Sequence, residues 1–113
     1  MTFQGCKNLV SITVPDNVTK IYEGAFAHCE KLTSIYLGSG ISELGDYYSS
    51  SSTSVFAFCN NIKDIHIKAF KPPRYYNEDI PYKSSIKLYI PKGTKEAYQN
   101  DYRWTGFYQY IEE

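Results

Sequence analysis

A three-fold internal repeat is the feature that most constrains how this chain can fold. Apolar anchors return in the same order, first after 23 residues (Ile12 to Ile35) and then after 30 (Ile35 to Ile65). The anchors are Phe3, Cys6, Leu9 and Ile12 in the first unit, Phe26, Cys29, Leu32 and Ile35 in the second, and Phe56, Cys59, Ile62 and Ile65 in the third. Self-similarity of this kind indicates an array of repeated supersecondary units.

An insertion at Tyr47 to Thr53 accounts for the seven residues (30 less 23) by which the second interval is longer. The insertion contains the serine run Ser49–Ser52. Clusters of serine between periodic segments are typical of loops. We therefore predict a surface loop inserted into an otherwise regular array.

Each unit carries one predicted strand, because apolar and other residues alternate there with a period of two. The three strands are centred on Thr13, Tyr36 and His66, and Pro15 and the glycines of residues 38–40 then turn the chain. A second, shorter apolar pair follows the turn, at Val18 and Ile21 in the first unit and at Ile41 and Leu44 in the second.

Stacking of the units is required for stability, since one unit has only about seven inward side chains to offset the entropy lost on ordering its backbone. Each predicted strand then pairs with the next, as in a solenoid. We predict an α/β repeat solenoid that is rich in strands and forms a single domain over residues 1–113. Its coils are expected at about 3–25, 26–55 and 56–85, with a degenerate terminal coil and cap at 86–113.

The stretch from Phe3 to Phe26 resembles the BspA-like leucine-rich repeat family. Its pattern is Phe-x-Gly-Cys-x-Asn-Leu-x-Ser-Ile-Thr-Val-Pro-Asp-x-Val-Thr-x-Ile-x-x-Gly-Ala-Phe. The resemblance extends to about Lys68, residues 69–85 depart from the pattern, and residues 86–111 are similar to the C-terminal part of such arrays. It implies a short right-handed superhelix in a protein of the bacterial cell surface or a secreted protein.

A helical cap is predicted at the C-terminal end of the solenoid. Residues 86–91 repeat the strand pattern once more, and Thr94 is suited to be the N-cap of a helix over residues 95–103. Tyr98 and Tyr102 are four residues apart and are expected on one helical face, with Ala97 and Trp104 nearby. We expect these aromatic side chains to cover the last coil and residues 107–111 to form a final strand.

The N-terminal coil shows no comparable cap. Phe3 enters the repeat in the middle of its pattern. We expect either that the chain is part of a longer array or that its first coil is exposed. An exposed coil presents unpaired strand edges, so self-association through this end is also expected.

Composition and charge exclude several classes of protein. The 12 basic and 12 acidic side chains give a formal net charge of zero, which argues against a nucleic-acid partner. The longest apolar run, Val55 to Cys59, is too short for membrane insertion. The first residues lack the apolar core of a signal peptide, so none is expected in this chain.

The three cysteines occupy one repeat position and are expected to form a row. Cysteine at such a position is most simply a small buried apolar residue. One disulfide and a metal site remain alternatives, although a metal site lacks the usual pairs of cysteine or histidine ligands.

Catalytic groups do not form a recognisable pattern. His28 stands beside Cys29, but Gly5 and Phe58 fill the same repeat position in the other units, so a polar role is not expected there. Glu112 and Glu113 are expected to be solvated. We predict a chain that is not an enzyme and has no cofactor and no metal ion.

The outward side of the main sheet is the predicted binding surface. If the branched apolar residues point inward, two rows of side chains point outward on successive strands. One row is Thr13, Tyr36, His66 and Tyr89, and the other is Ser11, Ser34, Asp64 and Lys87. The candidate ligand-binding residues are Tyr36, His66, Tyr89, Asp64 and Lys87. The alternative is that tyrosine occurs there only because it favours strands.

Two loop segments offer further aromatic patches, namely Tyr47-Tyr48 beside the serine run and Arg74-Tyr75-Tyr76.

The expected function is that of a non-enzymatic surface or secreted interaction module, similar to an adhesin. Its partner would be a host or bacterial surface protein or a glycan. A structural spacer or capping segment of a larger surface protein is one alternative, and a glycan-binding accessory domain is another. The surface location and the adhesion role are implied by the family resemblance alone.

Overall fold

The fold is a stack of coils in which equivalent strands lie side by side. A computed structural model describes residues 7–22, 25–45, 55–56, 58–75 and 80–113. Its elements are the strands β1 (Ser11–Val14), β2 (Lys20–Ile21), β3 (Ser34–Leu37), β4 (Glu43–Leu44), β5 (Asp64–Ile67), β6 (Arg74–Tyr75), β7 (Lys87–Ile90) and β8 (Gln109–Glu112), a 3-10 turn at Lys83–Ser85, and the helix α1 (Lys95–Asn100).

A five-stranded parallel sheet with the order β1-β3-β5-β7-β8 forms the main face. Ile12 is in register with Ile35, Ile35 with Ile65, and Ile65 with Leu88. These side chains point into one continuous core and are at most 5% exposed. The prediction that the units stack as a repeat solenoid is therefore confirmed.

A second, three-stranded parallel sheet with the order β2-β4-β6 closes the other side of each coil. The apolar partners Ile21, Leu44 and Tyr75 are in register and buried. Their neighbours Lys20, Glu43 and Arg74 make an outward row of alternating charge, which suits opposite pairs on adjacent strands. The sequence pattern identified the apolar pairs but not the sheet that they form.

Residues 69–75 continue the coil although their sequence departs from the repeat. The departure in sequence does not interrupt the stack, because β6 takes the place that β2 and β4 hold in the earlier coils. Tyr75 fills the position of a leucine and is 1% exposed. Its ring reaches Phe56 on one side (6.1 Å between centroids) and Trp104 on the other (5.7 Å).

The glycines after β3 are required by the neighbouring coil. A Cβ atom at Gly38 would lie 2.6 Å from the backbone carbon of Pro15, and one at Gly40 would overlap the Asp16 carbonyl oxygen. The two turns are also joined by a hydrogen bond that the Ser39 N–H donates to Asp16 Oδ1 (2.9 Å). Small residues therefore let successive turns approach as closely as the paired strands demand.

The cap contains one short helix that ends earlier than the sequence predicts. α1 stops at Asn100, not at Arg103, because Asp101 has an extended backbone (φ −80°, ψ 122°) and its carboxylate accepts a hydrogen bond from the Arg103 N–H (2.8 Å). Such a local side-chain bond competes with helix continuation. β8, running parallel to β7, gives the final strand that the sequence indicates near residues 107–111.

Aromatic side chains cover the last coil, as predicted, but not all of the predicted residues take part. Tyr98 and Trp104 are fully buried, whereas Tyr102 is 67% exposed and Ala97 is exposed, because the helix ends before residue 102 can continue its inner face. The Tyr98 hydroxyl donates to the Ala69 carbonyl (2.6 Å). The Trp104 Nε1–H donates to the Pro73 carbonyl (2.8 Å), so the cover is fixed to the third coil.

Thr94 occupies the N-cap position of α1, but its side chain does not cap the helix. Its hydroxyl donates to the Pro91 carbonyl (2.6 Å) and makes no bond to the helix. The Glu112 carboxylate accepts the N–H groups of Gly93 (2.8 Å) and Lys95 (3.1 Å) instead. Glu112 is exposed, as predicted, and its carboxylate also lies at the N-terminal end of the helix, where negative charge is favoured.

The cysteine row lies in the core. Cys29 and Cys59 are both thiols and both fully buried, and the Cys59 thiol donates to the Phe26 carbonyl (2.8 Å). This confirms the interpretation of these two residues as small buried side chains, while Cys6 lies outside the described residues. Burial raises the pKa of the Cys59 thiol to about 12.

β1 lies at one edge of the described part of the main sheet, and Val10 beside it is 55% exposed. Self-association through this side stays a prediction. Among the described residues, no helix is long or apolar enough to cross a bilayer.

We expect Tyr98→Phe to lower the free energy of unfolding by about 1–3 kcal/mol, because it leaves the buried Ala69 carbonyl without its donor. Urea denaturation followed by circular dichroism measures this change. Tyr102→Phe is the matched control in an exposed position and should stay within about 0.5 kcal/mol of the parent. Equal stability of Tyr98→Phe and the control would contradict the proposed attachment of the cap.

The Cys59 thiol should react slowly with iodoacetamide in the folded protein. At pH 8 a pKa of about 12 leaves a thiolate fraction about 1000-fold smaller than the ordinary value of 9.0 does, and only the thiolate reacts. Peptide mapping by mass spectrometry gives the labelling rate, with the same protein in concentrated urea as the reference. Comparable rates in both conditions would show that the thiol is not buried.

Candidate functional site

The outward face of the five-stranded sheet brings the predicted binding residues together. Thr13 is in register with Tyr36, Tyr36 with His66, and His66 with Tyr89. The second predicted row is also in register, from Ser11 through Ser34 and Asp64 to Lys87. Both rows stand outward because alternate residues of each strand are buried in the core.

Tyr36, His66 and Tyr89 form a continuous stack of rings, which we call the aromatic ladder. The ring centroids of Tyr36 and His66 are 4.4 Å apart with an interplanar angle of 16°, and those of His66 and Tyr89 are 4.2 Å apart at 9°. The spacing follows from the distance between adjacent parallel strands, about 4.8 Å. The ladder therefore holds three partly exposed rings in fixed positions.

Hydrogen bonds to Asp64 fix the orientation of the central ring. His66 Nε2 lies 2.9 Å from Asp64 Oδ2, a distance at which the tautomer with hydrogen on Nε2 donates to the carboxylate. The other carboxylate oxygen, Oδ1, accepts a hydrogen bond from the Ser34 hydroxyl (3.0 Å). Both carboxylate oxygens of Asp64 therefore have a partner on this surface. The Asp64 side chain is only 25% exposed.

Glu113 is a member of this surface that the sequence reasoning missed. Its Oε1 lies 3.4 Å from His66 Nδ1, and its side chain is 57% exposed. The sequence shows a final strand, but it does not show that β8 pairs in parallel with β7 and so carries Glu113 to the main face. The two terminal carboxylates therefore have different partners. Glu112 accepts hydrogen bonds at the start of α1, and Glu113 lies beside His66.

Lys87 extends the polar row beyond Asp64. It is exposed and stands in register between Asp64 and Gln109. The surface thus combines one central carboxylate, one exposed ammonium group and three rings.

A second stacked pair, His28 and Phe58, lies outside the predicted surface. The ring centroids are 4.6 Å apart, and both residues have φ of +64°, a conformation that glycine adopts more readily. The sequence places both at one repeat position with Gly5, which is the signal for this backbone, but it gave no expectation of a ring contact there. Both rings are exposed, Phe58 by 50%.

Of the two predicted loop patches, only Arg74 and Tyr75 lie within the described residues. Tyr75 is buried in the core, so the Arg74-Tyr75-Tyr76 patch is wrong for that residue. Tyr76, Tyr47, Tyr48 and the serine run lie outside the described residues.

The side chains of this surface offer ring faces and hydrogen-bonding groups. Within the described parts of the chain, no three histidine, cysteine or acidic side chains are arranged to hold a metal ion.

Comparison with known proteins gives a family for the chain. Six copies of the BspA type leucine rich repeat region match residues 1–97. A comparison with curated proteins found no match. The family match covers most of the 113 residues and includes residues 69–85, which the sequence pattern alone had set apart. The chain therefore belongs to the BspA-type leucine-rich repeat family.

Proposed function

We propose that the chain is a non-enzymatic interaction module of the cell surface or of a secreted protein, and that it binds a protein through the outward face of its main sheet. The observation that carries this proposal is the aromatic ladder, since rings are held in fixed order on a surface that is open to a partner. Tyr36 is 41% exposed although its ring stacks on His66.

Rigidity of the ladder supports binding. Tyrosine provides a large contact area with a hydrogen-bonding tip, and such residues dominate the energy of many interfaces. In this chain each ring is already restrained by its neighbours, so little conformational entropy remains to be lost when a partner binds. The buried isoleucine ladder beneath the rings keeps their spacing constant.

Charged groups around the rings would orient a bound partner. Lys87 and Glu113 are exposed and carry opposite charge, while Asp64 fixes His66 from within the surface. Polar groups of this kind at a rim determine register and specificity more than affinity. A host or bacterial surface protein with an apolar patch bordered by charges fits this arrangement.

The proposed location follows from the family. BspA-type repeats generally serve as surface interaction modules, and the adhesin-like role proposed for this chain extends that general property.

The double variant Tyr36→Ala, Tyr89→Ala tests the binding face. We expect attachment of the fluorescently labelled chain to intact bacterial and epithelial cells to fall at least about tenfold, the effect of losing interface residues worth roughly 1.4 kcal/mol in total. The matched control is Tyr22→Ala, Tyr102→Ala, which removes two tyrosines that are 54% and 67% exposed elsewhere on the surface. The control should attach like the parent.

Stability must be measured alongside attachment, because removing the two rings costs about 1 kcal/mol of cross-strand stacking for each. Circular dichroism at the assay temperature establishes that the double variant is folded. Undiminished attachment by a folded double variant would contradict the assignment of the face and favour a spacer role. Loss of attachment after enzymatic removal of surface glycans, but not after proteolysis of the cells, would make the partner a glycan.

A further inference from the structure

The aromatic ladder stops one strand short of the edge of the described sheet. Thr13 on β1 occupies the position that is in register with Tyr36. A threonine side chain is too small to cover a phenol ring, so the side of Tyr36 that points toward β1 lacks the ring contact that its other side makes with His66. Among the described residues, no ring therefore occupies the ladder position over Thr13.

An open cavity of about 450 Å³ is lined by Thr13 and Tyr36, the two residues that border this position. The residues around it that matter here are Thr13, Pro15, Asp16, Tyr36, Gly38 and Lys68. Tyr36 forms one wall, and the closely packed turns of Pro15 and Gly38 form one end. The lining belongs to β1, to β3, to the turns that follow them and to Lys68 after β5.

We propose that this cavity receives an aromatic side chain of a protein partner, which stacks on Tyr36 as the fourth ring of the ladder. The inference rests on the proposed binding face and identifies the chemical group that the face takes. A ring seated over Thr13 would lie beside Tyr36 at the spacing of 4.2–4.4 Å that the ladder already maintains. A ring seated there gains the stacking energy of an aromatic pair, which an aliphatic side chain does not supply.

Besides Tyr36, the polar side chains around the cavity are Thr13, Asp16 and Lys68, and Asp16 Oδ1 already accepts a hydrogen bond from the Ser39 N–H. A sugar needs several hydrogen-bonding partners for its hydroxyl groups, and leaving them unpaired on desolvation is costly, so the test includes a sugar as the competing ligand. Lys68 is exposed at the cavity and provides a donor for one polar substituent, such as the hydroxyl of a tyrosine.

Binding of N-acetyl-L-tyrosinamide to the whole ¹⁵N-labelled chain tests the inference without knowledge of the partner. We expect the amide signals of Thr13, Tyr36 and Gly38 to shift and saturate with a dissociation constant on the order of 1 mM, typical of a ligand of this size. N-acetyl-L-leucinamide, which has an aliphatic side chain, should bind at least about fivefold more weakly, a difference of about 1 kcal/mol that ring stacking supplies.

Thr13→Tyr is the decisive variant, because it places a ring of the chain itself in the ladder position over residue 13. It should abolish the shifts caused by N-acetyl-L-tyrosinamide, whereas the matched control Thr13→Val, which adds no ring, should retain them. If Thr13→Tyr does not fold, Tyr36→Leu and Tyr36→Phe give the same comparison. The leucine variant removes the platform and should lose binding at least about fivefold, and the phenylalanine variant should keep it.

Several outcomes would overturn the inference. They are the absence of saturable shifts, shifts that fall outside the cavity, parental binding by Thr13→Tyr or Tyr36→Leu, and binding of methyl β-galactopyranoside at the same residues with equal or higher affinity. These results are distinguishable from failure of the proposed function. Attachment to cells by the Tyr36→Ala, Tyr89→Ala variant would reject the binding face, while saturable binding of the tyrosine probe would still establish the cavity as a ring site.

Discussion

In-register pairing of parallel strands from successive repeats is the interaction on which the rest of the structure depends. It converts residues that are 23 or 30 positions apart into neighbours, so Ile12, Ile35 and Ile65 share one core. The same register places every outward residue beside its equivalent on the next strand. A sequence period thereby becomes both a continuous core and an ordered surface. Neither exists in a single coil, which has no partner for its strand edges.

The repeat made the main sheet and its two faces predictable, because a period-two alternation within a fixed register leaves one arrangement of each side chain. The three candidate rings and Asp64 were therefore identified from the sequence. Glu113 was not, since its position depends on β8 pairing with β7 across a non-repetitive cap. The prediction of a helix as far as residue 103 was also wrong. The Asp101 carboxylate ends α1 through a local hydrogen bond, which the periodicity of the sequence does not encode.

Aromatic residues have two distinct roles in this chain, and their repeat position decides between them. Phe26 and Phe56 stack in the core with their centroids 5.6 Å apart, and Tyr75 and Trp104 extend this contact to the cap. Tyr36, His66 and Tyr89 stack outside on the same strand spacing. Among the tyrosines, Tyr75 and Tyr98 belong to the core and Tyr36 and Tyr89 to the outward stack, so this residue type contributes to both.

The hydrogen bonds that hold the cap impose an order of assembly during translation. Trp104 donates to Pro73, and Glu112 accepts from the start of α1, so residues far apart in the chain must all have left the ribosome before the cap can close. The preceding coils can pair as they emerge, because each needs only the coil before it. Until then β7 remains an open edge in the nascent chain, and this interval is when it is most exposed to pairing with the wrong strand.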